Sequence, residues 1–169
     1  ICLFHKIYII SDIAYVEIYF DEKYKPTSIL QVKRAKEIAI EFSSVSKSFS
    51  LAGARIGFAA GNKDLIKALY KIKSYLDYGS FEPLQIVACE ALSEKSDLYL
   101  QNLRKKYKER AEFLVKMLNT ELNWKTDMPK ATMFAWTKIH PKFSNLTSFE
   151  FCKKLITEAG IAISSGSGF

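Results

Sequence analysis

The segment of residues 36–60 limits the possible folds of this 169-residue chain more than any other part of it. Residues 36–42 and 55–60 are short, mainly apolar runs, and the segment between them is rich in serine and glycine. Apolar runs of this length, bounded by such loops, are typical of buried strands. With a third apolar run at residues 6–10, we predict an α/β fold, built on part of a largely parallel sheet flanked by helices.

Helical patterns alternate with these predicted strands. Asn62 precedes leucines and isoleucines that recur at helical spacing up to residue 76. Pro83 lies where a helix tolerates proline, in its first turn. Residues 98–118 again carry apolar side chains at helical spacing, which predicts one long helix.

The character of the chain changes after a loop at residues 123–129. Three elements are predicted in the tail: a strand over residues 132–139, a helix over residues 148–159 that ends at Gly160, and a short strand over residues 161–164. We therefore predict two partial domains. Residues 1–120 form part of a large domain, and residues 121–169 form most of a small α/β C-terminal domain.

Composition and charge exclude several classes of protein. No apolar run approaches the roughly 20 residues that span a bilayer, so we predict no membrane association. The net charge is +7, but much of the excess lies in residues 103–110, a pattern typical of the solvated face of an amphipathic helix. Because this face has no clustered glycine and aromatic motifs, we predict no nucleic-acid partner.

The three cysteines are Cys2, Cys89 and Cys152, an odd number of widely spaced residues. They match no metal-ligand spacing, so we predict no metal site. Small secreted domains usually pair their cysteines in disulfides. The cysteine pattern therefore favours a reduced, cytoplasmic location.

The serine-rich segment carries side chains that suit a phosphorylated aldehyde cofactor. Lys47 follows a predicted strand, Ser44 and Ser46 precede it, and Arg55 follows it. A lysine amine forms a Schiff base with an aldehyde, and hydroxyl and guanidinium groups bind phosphate through charge-assisted hydrogen bonds. We therefore predict that Lys47 is the catalytic residue and that Ser44, Ser46 and Arg55 hold a phosphate.

Two glycines, Gly53 and Gly57, lie on either side of Arg55. Glycine allows two backbones to approach closely because it has no Cβ. We expect both glycines to mark such close approaches rather than direct contacts with a ligand.

Two motifs resemble those of the class I and II aminotransferases, which are fold-type I pyridoxal-phosphate enzymes. Residues 44–57 resemble the family's cofactor-attachment site, and residues 11–15 resemble its aspartate-x-alanine-tyrosine element. The resemblance covers essentially the whole chain and is closest to the alanine and LL-diaminopimelate aminotransferase branch. It implies that the cofactor is pyridoxal 5'-phosphate, which Lys47 bonds covalently. It also implies that Asp12 pairs with the ring nitrogen and that Tyr15 hydrogen-bonds the phenolic oxygen.

The same resemblance implies an activity and a set of partners. The activity is transamination between amino-acid and 2-oxo-acid substrates, by a homodimer of the full-length protein. The family's glycine-rich phosphate turn, the aromatic residue stacked on the ring and the arginine for the substrate carboxylate do not occur in this chain, so we expect an internal fragment that is weak or inactive alone. Two alternatives stay open: a pyridoxal-phosphate-dependent carbon–sulfur β-lyase of the same fold, and a non-catalytic truncated remnant.

Overall fold

The computed structural model describes residues 1–169 and contains one three-stranded sheet. Its strands are β1 (Ile9–Asp12), β2 (Ala39–Ser44) and β3 (Gly57–Gly61), paired in the order β1-β2-β3. β1 and β2 are parallel, with Asp12 opposite Phe42, whereas β2 and β3 are antiparallel, with Ser44 opposite Gly57. The predicted α/β fold is confirmed, with a mixed sheet in which one of the two pairings is parallel.

Each strand begins two or three residues later than the sequence predicts, because a turn occupies its expected start. Lys6 has a positive φ of 55° and belongs to a turn that precedes β1. Residues Ala35–Glu37 form a short 3-10 helix before β2. Arg55, before β3, also has a left-handed backbone, with a φ of 53°. Turns of this kind end the extended conformation that a strand needs.

Five α-helices accompany the sheet. They are α1 (Val45–Ser48), α2 (Lys63–Leu76), α3 (Glu82–Ala91), α4 (Asp97–Thr120) and α5 (Ser148–Ala159). Local signals determine where they begin and end: Asn62 caps α2, and Thr147 and Glu150 form a reciprocal capping box at the start of α5. Gly160 ends α5 with a φ of 67°. The four helices predicted from the sequence are confirmed, and each boundary that was predicted lies within two residues of the observed one.

The longest helix, α4, is amphipathic. Of its 24 residues only Leu100 is buried, and lysines, arginines and glutamates occupy much of its exposed surface. Neither α4 nor any other helix of the structure combines the length and the apolar character that crossing a membrane requires.

The two strands predicted for the C-terminal tail do not form. Residues 132–139 and 161–164 are irregular, and the single bridge near them joins Ala131 to Tyr19. A strand persists only when its backbone groups pair with those of a neighbouring strand. Neither segment has such a neighbour, so an apolar pattern alone is not sufficient and both predictions are wrong.

The chain divides into two compact units. The first comprises Ile1–Arg110 with Lys130–Met133 and contains the sheet. Its hydrophobic cluster joins Val45, Ile56 and Ala88. Partly buried side chains pack around this cluster, namely Phe49, Leu51, Ala54 and Leu84. Because Val45 and Ile56 bracket the segment that carries Ser46, Lys47 and Arg55, this core fixes both ends of that segment, and Ser44 directly precedes it.

The second unit comprises Ala111–Pro129 with Phe134–Phe169 and has an aromatic centre. The Trp124 ring lies edge-on to the rings of His140 and Phe151, with centroids 5.8 Å apart in both pairs. Edge-to-face pairs stabilise a core beyond the area that they bury. His140 therefore has a packing role within this unit.

Candidate functional site

The carboxyl ends of β1 and β2 lie side by side because the two strands are parallel. Asp12 is the last residue of β1, and its carboxylate is exposed. Its Oδ1 accepts a hydrogen bond of 3.1 Å from the Ala14 N–H. The Ile13 N–H donates a 2.9 Å hydrogen bond to the Phe42 carbonyl of β2. Ligands of open α/β sheets bind at this edge, so Asp12 lies where a ligand is expected.

Lys47 lies in α1, a single helical turn directly after β2. Its neighbours anchor this turn, since Val45 is fully buried and Ser48 is 2 % exposed, whereas Lys47 itself is half-buried. The Lys47 Nζ lies 5.9 Å from the centroid of the Tyr15 ring, within the range of a cation–π contact. The structure therefore brings together two predicted site residues that are distant in sequence.

The hydroxyls of Ser44 and Ser46 differ in the hydrogen bonds that they make. The Ser44 Oγ accepts a 3.1 Å hydrogen bond from the Ser46 N–H, which caps α1, and donates one of 3.3 Å to the Ile56 carbonyl. Across residues 1–169, all of which the structure describes, the Ser46 hydroxyl has no hydrogen-bond partner. Ser44 therefore organises the turn around Lys47, and the Ser46 hydroxyl is available to a ligand.

Arg55 is exposed and is not close enough to the other predicted site residues to form a hydrogen bond or ion pair with them. Its Nη1 donates a 3.1 Å hydrogen bond to the Ala52 carbonyl, three residues earlier. The next residue, Ile56, is buried and accepts the hydrogen bond from Ser44. The hydrogen bond between Ile56 and Ser44 therefore holds the backbone next to Arg55 at the end of β2. The Arg55 guanidinium has no acidic partner.

The two glycines beside Arg55 have different surroundings. A Cβ built on Gly57 would lie 2.8 Å from the Ser43 carbonyl oxygen, whereas a Cβ on Gly53 would meet nothing within 4 Å. Close backbone approach is therefore confirmed for Gly57 and wrong for Gly53. The reason is their placement: Gly57 pairs with Ser44 across the sheet, and Gly53 lies in an exposed 3-10 turn.

A buried carboxylate that the sequence analysis missed lies behind this edge. Glu41 of β2 is 7 % exposed. It accepts hydrogen bonds from the Ser28 hydroxyl at 2.6 Å, the Ile29 N–H at 2.9 Å and the Ser11 hydroxyl at 3.3 Å. A buried carboxylate needs several donors to offset its desolvation. A glutamate within an apolar strand was the available signal, but the sequence does not identify its partners.

A second missed interaction joins α4 to the turn that follows Asp12. The Arg104 Nη2 lies 2.6 Å from a Glu17 carboxylate oxygen, and its Nε donates a 2.9 Å hydrogen bond to the Glu17 carbonyl. The guanidinium also lies 4.2 Å from the centroid of the Tyr19 ring. Burial raises the pKa of Tyr19 above its usual range, and nearby Arg104 opposes that shift. No sequence signal predicts this contact, because its partners are 87 residues apart.

A cavity of about 630 Å³ lies in the first unit, and Lys47 does not line it, although Ser48 beside it does. Its lining includes Ser43, Ser44 and Phe58 of the sheet, together with side chains at the start of α4. The other predicted site residues do not line it, namely Asp12, Tyr15, Ser46, Lys47 and Arg55. We therefore define the candidate site by its reactive side chains, as an open strand edge rather than an enclosed pocket.

Comparisons with known proteins cover the whole chain. Residues 1–169 match the family model described as aminotransferase class I and II. Over 165 residues the chain is 44% identical to the glutamate-pyruvate aminotransferase AlaC of Escherichia coli (strain K12), a match that covers 98% of this chain and 39% of that protein. Over 168 residues it is 41% identical to the LL-diaminopimelate aminotransferase of Natranaerobius thermophilus, covering 99% of this chain and 42% of that protein.

A solved structure shares the fold. The apo structure of BacF from Bacillus subtilis matches with a TM-score of 0.90 and 35% sequence identity, covering 98% of this chain and 43% of that chain. The chain therefore spans about two fifths of the length of the curated relatives that it matches.

Proposed function

This chain belongs to the class I and II aminotransferases, which are pyridoxal-phosphate enzymes, and we propose that it carries the lysine-bearing part of an enzyme that transfers an amino group from an amino acid to a 2-oxo acid. The observation that carries the proposal is the position of Lys47 beside Tyr15, at the edge where β1 ends in Asp12. The names of the relatives favour transamination over the carbon–sulfur lyase alternative.

The side chains present suit the cofactor by their chemistry. Lys47 would supply the amine that holds the cofactor's aldehyde covalently, and its free Nζ would act as a base that takes and returns a proton. Asp12 would supply the carboxylate that keeps the ring nitrogen protonated, and Tyr15 would supply a phenol that donates a hydrogen bond to the ring oxygen. When bound, pyridoxal phosphate supplies an electron sink for charge that develops on the substrate carbon.

Phosphate binding by the predicted residues involves an exchange of hydrogen-bond partners. In the structure the Ser44 hydroxyl donates to the Ile56 carbonyl and the Arg55 Nη1 donates to the Ala52 carbonyl. A phosphate would replace these carbonyls with charged acceptors, which form stronger hydrogen bonds. The Ser46 hydroxyl, which has no partner to give up, completes the proposed set of donors.

We also propose that further protein covers the apolar surface of the first unit. Ile10, Tyr70 and Leu76 are each about three-quarters exposed, and large exposed apolar surfaces mark interaction sites. In a longer protein of the relatives' length, the covering surfaces would come from the rest of that protein and from the second subunit of a homodimer. Glutamate, alanine and diaminopimelate are the proposed amino donors.

The domain division and the location remain proposals of the same kind. Residues 1–120 would belong to the cofactor-binding domain and residues 121–169 to the small domain. The assignment of Phe134–Phe169 to a compact unit other than the one that contains the sheet supports this division. The three cysteines are free, which favours a cytoplasmic location.

Reductive trapping tests the proposed site. The chain is incubated with pyridoxal 5'-phosphate and reduced with borohydride, and adducts are located by peptide mass mapping. We expect labelling at Lys47 to exceed that of every other lysine, because Tyr15, Ser46 and Arg55 would hold the cofactor there. Lys47→Arg should lose the adduct, and the matched control Lys63→Arg, at the exposed start of α2, should retain it. Similar labelling of many lysines in the wild-type chain would contradict the proposal.

A further inference from the structure

Tyr15 lies in the turn of residues 14–17, which follows β1. Within this turn the Val16 N–H donates a 3.0 Å hydrogen bond to the Ile13 carbonyl. The Ile18 N–H donates one of the same length to the Tyr15 carbonyl, and Ile18 is fully buried. These two contacts are local and shape the turn, while the Ile13 N–H before it bonds to the Phe42 carbonyl of β2 and the buried Ile18 follows it.

Arg104 connects this turn to α4. Its guanidinium binds both the carboxylate and the main-chain carbonyl of Glu17, at 2.6 and 2.9 Å. Its Cζ also lies 4.2 Å from the centroid of the Tyr19 ring, within the range of a cation–π contact. The two side chains of the ion pair are only 19% and 34% exposed, so solvent screens the contact less than a surface pair. A planar fork that holds two acceptors on one residue fixes direction as well as distance.

We propose that Arg104 is a positioning residue for the cofactor site: by holding Glu17, it keeps the Tyr15 ring beside the Lys47 amine. Glu17 is two residues from Tyr15 in the same turn, and the Lys47 Nζ lies 5.9 Å from the Tyr15 ring. A lysine at position 104 would keep the charge but could not hold the carboxylate and the carbonyl together. The inference rests on the proposed function, in which Tyr15 and Lys47 share one site.

Nuclear magnetic resonance of the isotope-labelled chain tests the inference without cofactor. Two readouts are measured: the nuclear Overhauser effect between the Tyr15 ring and the Lys47 side chain, and amide exchange at Val16 and Ile18. Arg104→Gln should weaken the Overhauser effect by at least about half and speed both exchanges roughly tenfold, the size of change that losing a charge-assisted hydrogen bond produces. Arg104→Lys should change both readouts by an intermediate amount. This second variant keeps the test valid if the glutamine variant fails to fold.

Arg110→Gln is the matched control, because the Arg110 guanidinium lies over the Tyr107 ring of its own helix. It should change neither readout. An unchanged Tyr15–Lys47 Overhauser effect in both Arg104 variants overturns the inference, even if amide exchange accelerates, since Arg104 would then stabilise the turn without positioning Tyr15. The inference is also overturned if the wild-type chain shows no Overhauser effect between Tyr15 and Lys47. Failure of the proposed function is a separate result: no selective Lys47 adduct in the wild-type chain.

Discussion

Replacing Gly57 by alanine tests how closely β3 must approach β2 beside the candidate site. The added Cβ would lie 2.8 Å from the Ser43 carbonyl oxygen, too close for a carbon–oxygen contact. This oxygen is part of the β2 backbone, so it can move only if the pairing of Ser44 with Gly57 shifts. Forcing an extra carbon into a closely packed position costs about 1–3 kcal/mol. We expect Gly57→Ala to lower the free energy of unfolding by that amount.

The assay is urea denaturation of the 169-residue chain followed by circular dichroism, with Gly53→Ala as the matched control. A Cβ at Gly53 meets nothing within 4 Å, so this variant should stay within about 0.5 kcal/mol of the wild type, as surface substitutions usually do. Gly57→Ala should also reduce trapping of cofactor at Lys47, because Ser44 directly precedes the helix that carries this lysine. Equal stability of the two alanine variants would refute the reasoning.

Three further predictions concern single side chains. Glu41→Gln should destabilise the chain by about 1–3 kcal/mol in urea denaturation, because the buried carboxylate accepts three hydrogen bonds and an amide oxygen replaces it poorly; an unchanged midpoint would count against that network. Asn62→Ala should cost about 1–2 kcal/mol in the same assay, since the cap of α2 is lost, and a smaller loss than Gly53→Ala shows would contradict the capping role. Hydrogen bonds from Thr147, first from its N–H and then from its hydroxyl, lower the pKa of Glu150 below the ordinary glutamate value of 4.5. Its stabilising effect, measured against Glu150→Gln, should be complete above pH 4.5 and disappear as pH falls through the lowered pKa; a difference that grows on acidification would show the opposite sign.

Short-range signals predicted the helices well. Asn62, Pro83 and the capping box at Thr147 act on neighbouring backbone groups, so their effect is contained in a few consecutive residues. The strands were harder to predict, because a strand depends on a neighbour elsewhere in the chain. The strand Ala39–Ser44, which overlaps the predicted residues 36–42, has a paired strand on each side, whereas residues 132–139 have none and are irregular.

The candidate site divides in the same way. The resemblance carried by residues 11–15 and 44–57 identified the family, and the match over residues 1–169 confirms it. The individual roles assigned to Asp12, Tyr15 and Lys47 remain predictions. The contacts around them could not be predicted from the sequence, because the donors to Glu41 and the acceptors of Arg104 come from other segments of the chain.

By itself, the sequence determined the family, the α/β class, most of the helix boundaries and which side chains carry reactive groups, since these follow from local pattern and residue chemistry. Only the tertiary structure decided that Lys47 lies beside Tyr15, that Gly57 but not Gly53 is sterically required, and that Arg104 holds the turn before Ile18. The physical reason is that each of these depends on a distance between segments far apart in the chain. Such distances are determined by packing and strand pairing, which no local pattern of residues records.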